Sequence, residues 1–197
     1  MALFTIRTAR ESDLETVREL LAMSERRLRP LGFGQWSLPM PDDLILPSIR
    51  RQETYLVDDG VGEVATVTLN KEGTPFWPAE CTDALFVHRL VVIPRGTGLG
   101  VSLLDWSGEQ AQKAGKSWLR IDVWKTNRRL HSYYRGLGFE PRGIKHVPGA
   151  GSGALFARPA GSRVGSGPSI TAHERHWSAP APNSPTSMGR RRPSMGR

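Results

Sequence analysis

The stretch HRLVVIPRGTGLGVSLLDW, residues 88–106, admits few folds. An apolar run ends at Ile93-Pro94, glycines follow at positions 96, 98 and 100, and a helical apolar pattern starts at once. A run as nearly unbroken in its apolar character as residues 84–93, interrupted only by His88 and Arg89, suits the middle of a sheet, where both faces are covered. A strand that feeds straight into a helix aims the unpaired N–H groups of the first turn, and the positive end of the helix dipole, at the gap between them. Glycine removes the Cβ atoms that would hold a phosphate at a distance. Arg95 and the backbone amides of Gly96, Thr97, Gly98, Leu99, Gly100 and Val101 therefore form a candidate cradle for a pyrophosphate. Spacing excludes two familiar versions. A P-loop needs a lysine after its glycines, and the dinucleotide fingerprint reads GxGxxG where this loop reads GxGxG. A glycine-rich turn without a ligand stays open beside the cradle.

The flanking sequence alternates strand and helix patterns. LFTIRTA reads as a short strand, and Ser12 with Glu15 forms a capping box opening a helix striped by Leu14, Val17, Leu20, Leu21 and Leu28. A second helix is expected over residues 42–52. TYLVDD and EVATVTLN are strands joined by a hairpin that Asp59-Gly60 signals. After the glycine loop come a helix over residues 99–114, the strand SWLRIDVW, a helix over residues 127–136, and strands beginning at Gly138-Phe139 and over residues 154–159. The class is α/β, a mixed sheet with helices on both faces.

Charge is unevenly placed. Of a net +8 over 197 residues, the segment from Gly161 onward carries +5, six arginines against one glutamate, which leaves +3 for the rest. That segment is rich in Gly, Ser and Pro, lacks apolar periodicity and repeats SMGR, so residues 161–197 are expected to be a disordered tail behind a domain of residues 1–160. A basic domain built to bind nucleic acid is therefore not indicated, and His173 with His176 lacks the further ligands of a metal site. The single cysteine, Cys81, excludes an internal disulfide and reads as a small, buried or half-buried hydrophobe. No apolar run has a membrane span's length, and the first residues lack a secretory signal's core, so no membrane role and a cytoplasmic location are expected.

RGTGLG, Arg95 to Gly100, resembles the (Q/R)xxGxG/A signature of the GCN5-related N-acetyltransferases, the GNAT superfamily. NRRLHSYYRGLGF, Asn127 to Phe139, is similar to the closing motif of the same family, an asparagine followed by a tyrosine and then by Gly-Phe. Element order agrees over residues 3–159. One departure concerns the gap between the strand's bulge valine and the signature arginine, usually longer than the one between Val92 and Arg95. Either the loop is tighter or the bulge sits nearer Leu90.

The resemblance implies a GNAT-like fold: a mixed sheet of about six to seven strands with about four helices, splayed into a V between the fourth and fifth strands. It implies acetyl-CoA as co-substrate, no metal, and a small-molecule amine as acceptor. Backbone at Leu90, Val91 and Val92 would pair with the pantetheine arm, and an N–H there would stabilise the oxyanion. Asn127 would bond the pantetheine, unless it only caps its helix. An alkyl ammonium with a pKa of ~10.4 must lose a proton before it attacks. Asp122 is the first candidate base, with His88 and Glu63 behind it, and a sheet aspartate paired with Arg120 or Arg89 is the bland alternative. Tyr134 falls at the family's general-acid position, and it also belongs to a core stripe with Leu130, Tyr133 and Leu137. Trp36, Phe76, Trp77 and Trp124 could wall an acceptor pocket. Rival functions are a silent acyl-CoA-binding protein, an acetyltransferase acting on protein N-termini or lysines, and a nucleic-acid binder working through the tail. A homodimer is the default assembly.

Overall fold

The computed structural model describes residues 4–32, 40–93 and 96–172. Its main elements are β1 (Phe4–Thr8), α1 (Leu14–Leu28), α2 (Asp42–Arg50), β2 (Thr54–Asp58), β3 (Glu63–Asn70), β4 (Ala84–Val92), α3 (Leu99–Lys113), β5 (Trp118–Trp124), α4 (Arg128–Gly136), β6 (Glu140–Ile144), β7 (Ser152–Pro159) and β8 (Ile170–Ala172). One sheet holds all eight strands in the order β6-β7-β5-β4-β3-β2-β1-β8. Neighbours run antiparallel except β4 with β5 and β1 with β8.

Alternation along the strands separates two cores. Val87 of β4 with Leu119, Ile121 and Val123 of β5 packs with Leu99, Leu103 and Leu104 of α3, with Tyr134 of α4 and with Leu137 just after it. On the opposite face Leu56 and Val91 meet Val17, Leu20 and Leu21 of α1 and Ile45 and Ile49 of α2. Fully burying a leucine contributes about 1.5–3 kcal/mol, so the three leucines of α3 alone pin its first two turns to the sheet. Those are the turns the glycine loop enters.

The entry to α1 differs from the expected capping box. A single 3-10 turn, Glu11–Asp13, precedes the helix, and Asp13 rather than Glu15 accepts the backbone N–H of Arg10 at 2.7 Å. Arg7 explains the choice: its guanidinium holds the Asp13 carboxylate at 2.7 Å, and this ion pair keeps the Asp13 carboxyl below its usual titration range.

The domain boundary expected at residue 160 is also corrected. Residues 161–172 belong to the fold, ending in β8 beside β1. Arg158, 1 % exposed, pairs with Asp105 of α3 at 3.2 Å and donates to the carbonyls of Leu104 and Leu137. The same Asp105 carboxylate accepts the amides of Val164 and Gly165 at 3.0 and 2.8 Å, and Ser102 Oγ donates to the Pro168 carbonyl at 2.6 Å. Gly167 lies so close to α3 that a Cβ there would stand 2.1 Å from Ser102 Oγ and 2.6 Å from the Gly98 carbonyl. Backbone groups and the absence of side chains order this segment, which is why its apolar poverty misled. Residues 173–197, with both tail histidines, lie outside the described residues. A chain ending at Ala160 is expected to lose about 2 kcal/mol, because Asp105 forfeits two charge-assisted hydrogen bonds. Urea unfolding checks this, and an unchanged midpoint would mean the segment merely rests on the surface.

Candidate active site

The parallel ladder between β4 and β5 runs only from Ala84↔Trp118 to Val87↔Ile121. Beyond it the strands part, and a bulge in β4 marks the place. Thr68 of β3 faces His88 while Thr66 faces Val91, so β4 carries one residue more than its partner over this interval. Arg89 absorbs the irregularity with φ of +48°. Such an insertion bends the strand and ends regular pairing. On its β5 side the stretch from His88 to Val92 has no ladder partner, which leaves main-chain donors and acceptors facing a cleft. The bulge thus sits nearer Leu90 than Val92.

The cleft has a volume of about 540 Å³ and draws its walls from His88 and Leu90 of β4, Asp122 of β5, and Asn127 and Tyr134 at α4. Residues from distant parts of the sequence therefore meet in one space. Val91 is turned into the α1–α2 core instead, and Val92 is half-buried with its carbonyl 3.4 Å from Arg27. Asn127 caps α4, its side chain accepting the Leu130 amide at 3.0 Å. This uses the carbonyl oxygen and leaves the amide nitrogen for a second partner.

At the head of α3, Gly98 takes the left-handed conformation, φ +73°, and its carbonyl accepts the amides of Val101 and Ser102. The Leu99 amide lies 3.3 Å from Thr97 Oγ1. Two of the expected cradle donors, the amides of Leu99 and Val101, are thus engaged inside the turn. A Cβ on Gly100 would stand 3.0 Å from the Tyr133 hydroxyl, so α4 closes directly on this turn. Gly96 also has positive φ, +73°, with open space where a Cβ would be. Arg95 lies outside the described residues.

Asp122 is deep in the cleft, its side chain 8 % exposed, and burial raises its carboxyl above the ordinary carboxylate range. Thr74 opposes that shift by donating to Oδ1 at 3.0 Å. His88 Nδ1 stands 4.0 Å from the same oxygen. Burial, with Arg89 adjacent, pushes His88 down to about 4, so near neutrality the imidazole is uncharged and the two do not form an ion pair. The alternative pairing of Asp122 with Arg120 or Arg89 does not form. Arg120 stacks over Trp77 at 4.9 Å, and Arg89 is held by α2. Tyr134 is 5 % exposed, with its phenol raised well above its usual range by burial first and by Tyr133 and Asp122 after it. It stays protonated at any ordinary pH. Its ring packs on Phe139 and Phe156, so the core stripe and the cleft position are both real.

Other candidates fall away from the cleft. Glu63 is paired with Arg7 at 2.6 Å, at the hairpin end of β3. Phe76 and Trp77 pack with Phe86 and Leu155, and Trp124 presses against Gly151. Cys81 packs half-buried beside that cluster. Trp36 lies outside the described residues. Sequence reasoning missed Thr74, which reaches Asp122 from a loop of no regular pattern. Arg89 was weighed only as a partner for Asp122, and its own place depends on the bulge.

A parallel strand pair thus parts beside a glycine-headed helix, with a buried carboxyl and a phenol in the fork. Known acetyltransferases share this fold. No family model matches the chain. In sequence it is similar to the uncharacterised N-acetyltransferase YesJ of Bacillus subtilis, 29 % identical over 139 residues, which span 65 % of this chain and 77 % of that protein. In structure it is similar to a GNAT-family acetyltransferase of Listeria monocytogenes, with a TM-score of 0.66 at 22 % identity over 79 % of this chain and 94 % of the other. It is also similar to the PaiA N-acetyltransferase of Thermoplasma acidophilum, solved with coenzyme A, with a TM-score of 0.60 at 17 % identity over 79 % and 98 % of the two chains. The chain has the fold of the GNAT acetyltransferases. Among the described residues no helix is long and apolar enough to cross a membrane.

Proposed function

We propose that the chain transfers the acetyl group of acetyl-CoA to an amine of a small molecule, by direct attack within a ternary complex. Coenzyme A in the structures of several relatives of this fold supports the choice of donor. The observation that carries the reading is the meeting of Asp122 and Tyr134 beside the unpaired edge of β4.

Each group has a distinct task. The Leu90 N–H, free of a ladder, holds the thioester oxygen where negative charge develops. Asp122 takes the proton of the substrate ammonium, directly or through the neutral His88, and a raised carboxyl pKa brings it closer to the pH at which it must work. The amine nitrogen then bonds to the carbonyl carbon, the C–S bond breaks, and the sulfur leaves with its electron pair. Tyr134 donates its proton to that sulfur. The nitrogen sheds its second proton, which returns to the phenol oxygen through water, so the amide, the thiol and the phenol are all neutral at the end. A thiolate with a pKa of ~8.5 already leaves readily, so this help is useful without being essential.

Tyr134→Phe is accordingly expected to lower kcat by about 10- to 100-fold, the weak end of general-acid effects. The Kd for acetyl-CoA should stay within about twofold, since the ring keeps its packing. Unchanged kcat would remove the phenol from the chemistry. The function itself is tested by release of free thiol on incubation with acetyl-CoA and a library of small amines. Tight acetyl-CoA binding with no turnover of any amine would favour a silent binding protein instead.

A further inference from the structure

The bulge in β4 has a consequence for the acceptor. Phe86 faces the α1–α2 side of the sheet and Val87 the α3–α4 side. His88 should then face α1–α2 and the next residue should not. The inserted residue breaks the alternation, so Arg89 also turns to the α1–α2 side, where it meets α2, before Leu90 returns to the other core. Two consecutive polar side chains therefore share the wall that also carries Asp122.

Arg89 is held there by uncharged groups. Its guanidinium donates to Ser48 Oγ at 2.9 Å and to the Leu44 carbonyl, with Thr68 Oγ1 at 3.5 Å. Ser48, Thr54 and Thr68 are joined hydroxyl to hydroxyl and are 2 %, 0 % and 0 % exposed. Three buried hydroxyls thus fix the fork from behind. No carboxylate lies within ion-pair distance of Arg89 among the described residues. The nearest one that it senses, Glu53, is already bound by Arg51 at 2.9 Å and approached by Asn70. A half-buried cation set firmly in place without a counter-charge is costly unless something else supplies the anion. A planar fork with free N–H groups matches a carboxylate.

From this geometry we infer that the acceptor is an amine that also carries a carboxylate, of the amino-acid type, with the carboxylate on Arg89 and the amine beside Asp122. The inference rests on the acetyl-transfer reading and names the substrate class for that site. Attraction at Arg89 binds the acceptor without taking part in bond making, so Arg89 is a specificity-determining residue.

The experiment compares amino acids with their amides and with the amines lacking the carboxyl group. The expected result is that kcat/KM for the acid exceeds that for its amide by roughly 10- to 100-fold, the worth of one charge-assisted hydrogen-bonded contact. Arg89→Gln should bring this ratio close to one, and Arg89→Lys should keep part of it. Equal rates on acid and amide, a preference for peptide N-termini lacking a nearby carboxylate, or a ratio that survives Arg89→Gln would each overturn the inference. Damage to the fold alone would lower both rates and leave the ratio standing, so it also counts against. Thermal shift with acetyl-CoA separates the two levels. If acetyl-CoA does not bind, the transfer reading fails, and equilibrium binding of acid against amide to the protein alone decides the role of Arg89.

Discussion

Asp122→Asn is expected to lower kcat/KM by about 100- to 1,000-fold, within the range of a lost general base, while leaving the protein as stable or more so. The two effects share one cause. Burial disfavours the charged form of Asp122, so its folded pKa lies above the unfolded value. A group shifted that way costs stability above its folded pKa, and the cost is relieved as pH falls through it. Asparagine keeps an oxygen for the Thr74 hydroxyl and never bears the charge. The pH profile supplies the second check. With Asp122 present, kcat/KM should fall as acid protonates the base, along a limb displaced upward from the ordinary carboxylate range near 3.9. Thr74→Val removes the bond that favours the carboxylate and should move the limb higher still. An unaltered profile in Asp122→Asn would remove Asp122 from the mechanism, and a limb that moves to near 4 would transfer the role to His88, whose pKa is pushed down to about 4.

The largest stability loss is expected at Arg158→Leu, about 3–5 kcal/mol, because removing one partner strands the other as a buried charge. Asp105 is 4 % exposed and would keep only the Val164 and Gly165 amides. The carbonyls of Leu104 and Leu137 would lose their donor as well. Burial already lowers the pKa of Arg158, with Asp105 opposing, so the site tolerates the cation only through its partners. The additional change Asp105→Leu should recover part of the loss, since it removes the stranded charge while orphaning two amides. Chemical denaturation of the single and double variants measures this. A single variant within about 1 kcal/mol of the parent would show that water reaches Asp105.

Local signals made much of this legible in the sequence. The mostly apolar run of β4, the glycines before α3 and the Asn127 cap of α4 each depend on a few neighbouring residues, and each appears where the pattern puts it. Asp122 and Tyr134 could be singled out only through the family resemblance, which sets both at a fixed distance from Asn127. What escaped depends on pairing across the sheet. The family resemblance led to a bulge in β4 being expected, but its place is fixed only by the register of β3, and without that place Arg89 reads as one more alternating position. The order of residues 161–172 escaped for a related reason. Composition weighs side chains, whereas there the main chain neutralises a buried carboxylate, and glycine is required because nothing larger fits over Ser102. Asp13 outcompeted Glu15 through Arg7, a residue on another element.

The contact between Gly167 and Gly98 ties the end of the described fold mechanically to its most delicate turn. A load hung beyond Ala172, whether an affinity handle, a fused partner or a surface tether, pulls through β8 and Pro168 onto the head of α3. Immobilisation through that end would therefore distort the glycine turn at the head of α3 before it unfolded anything.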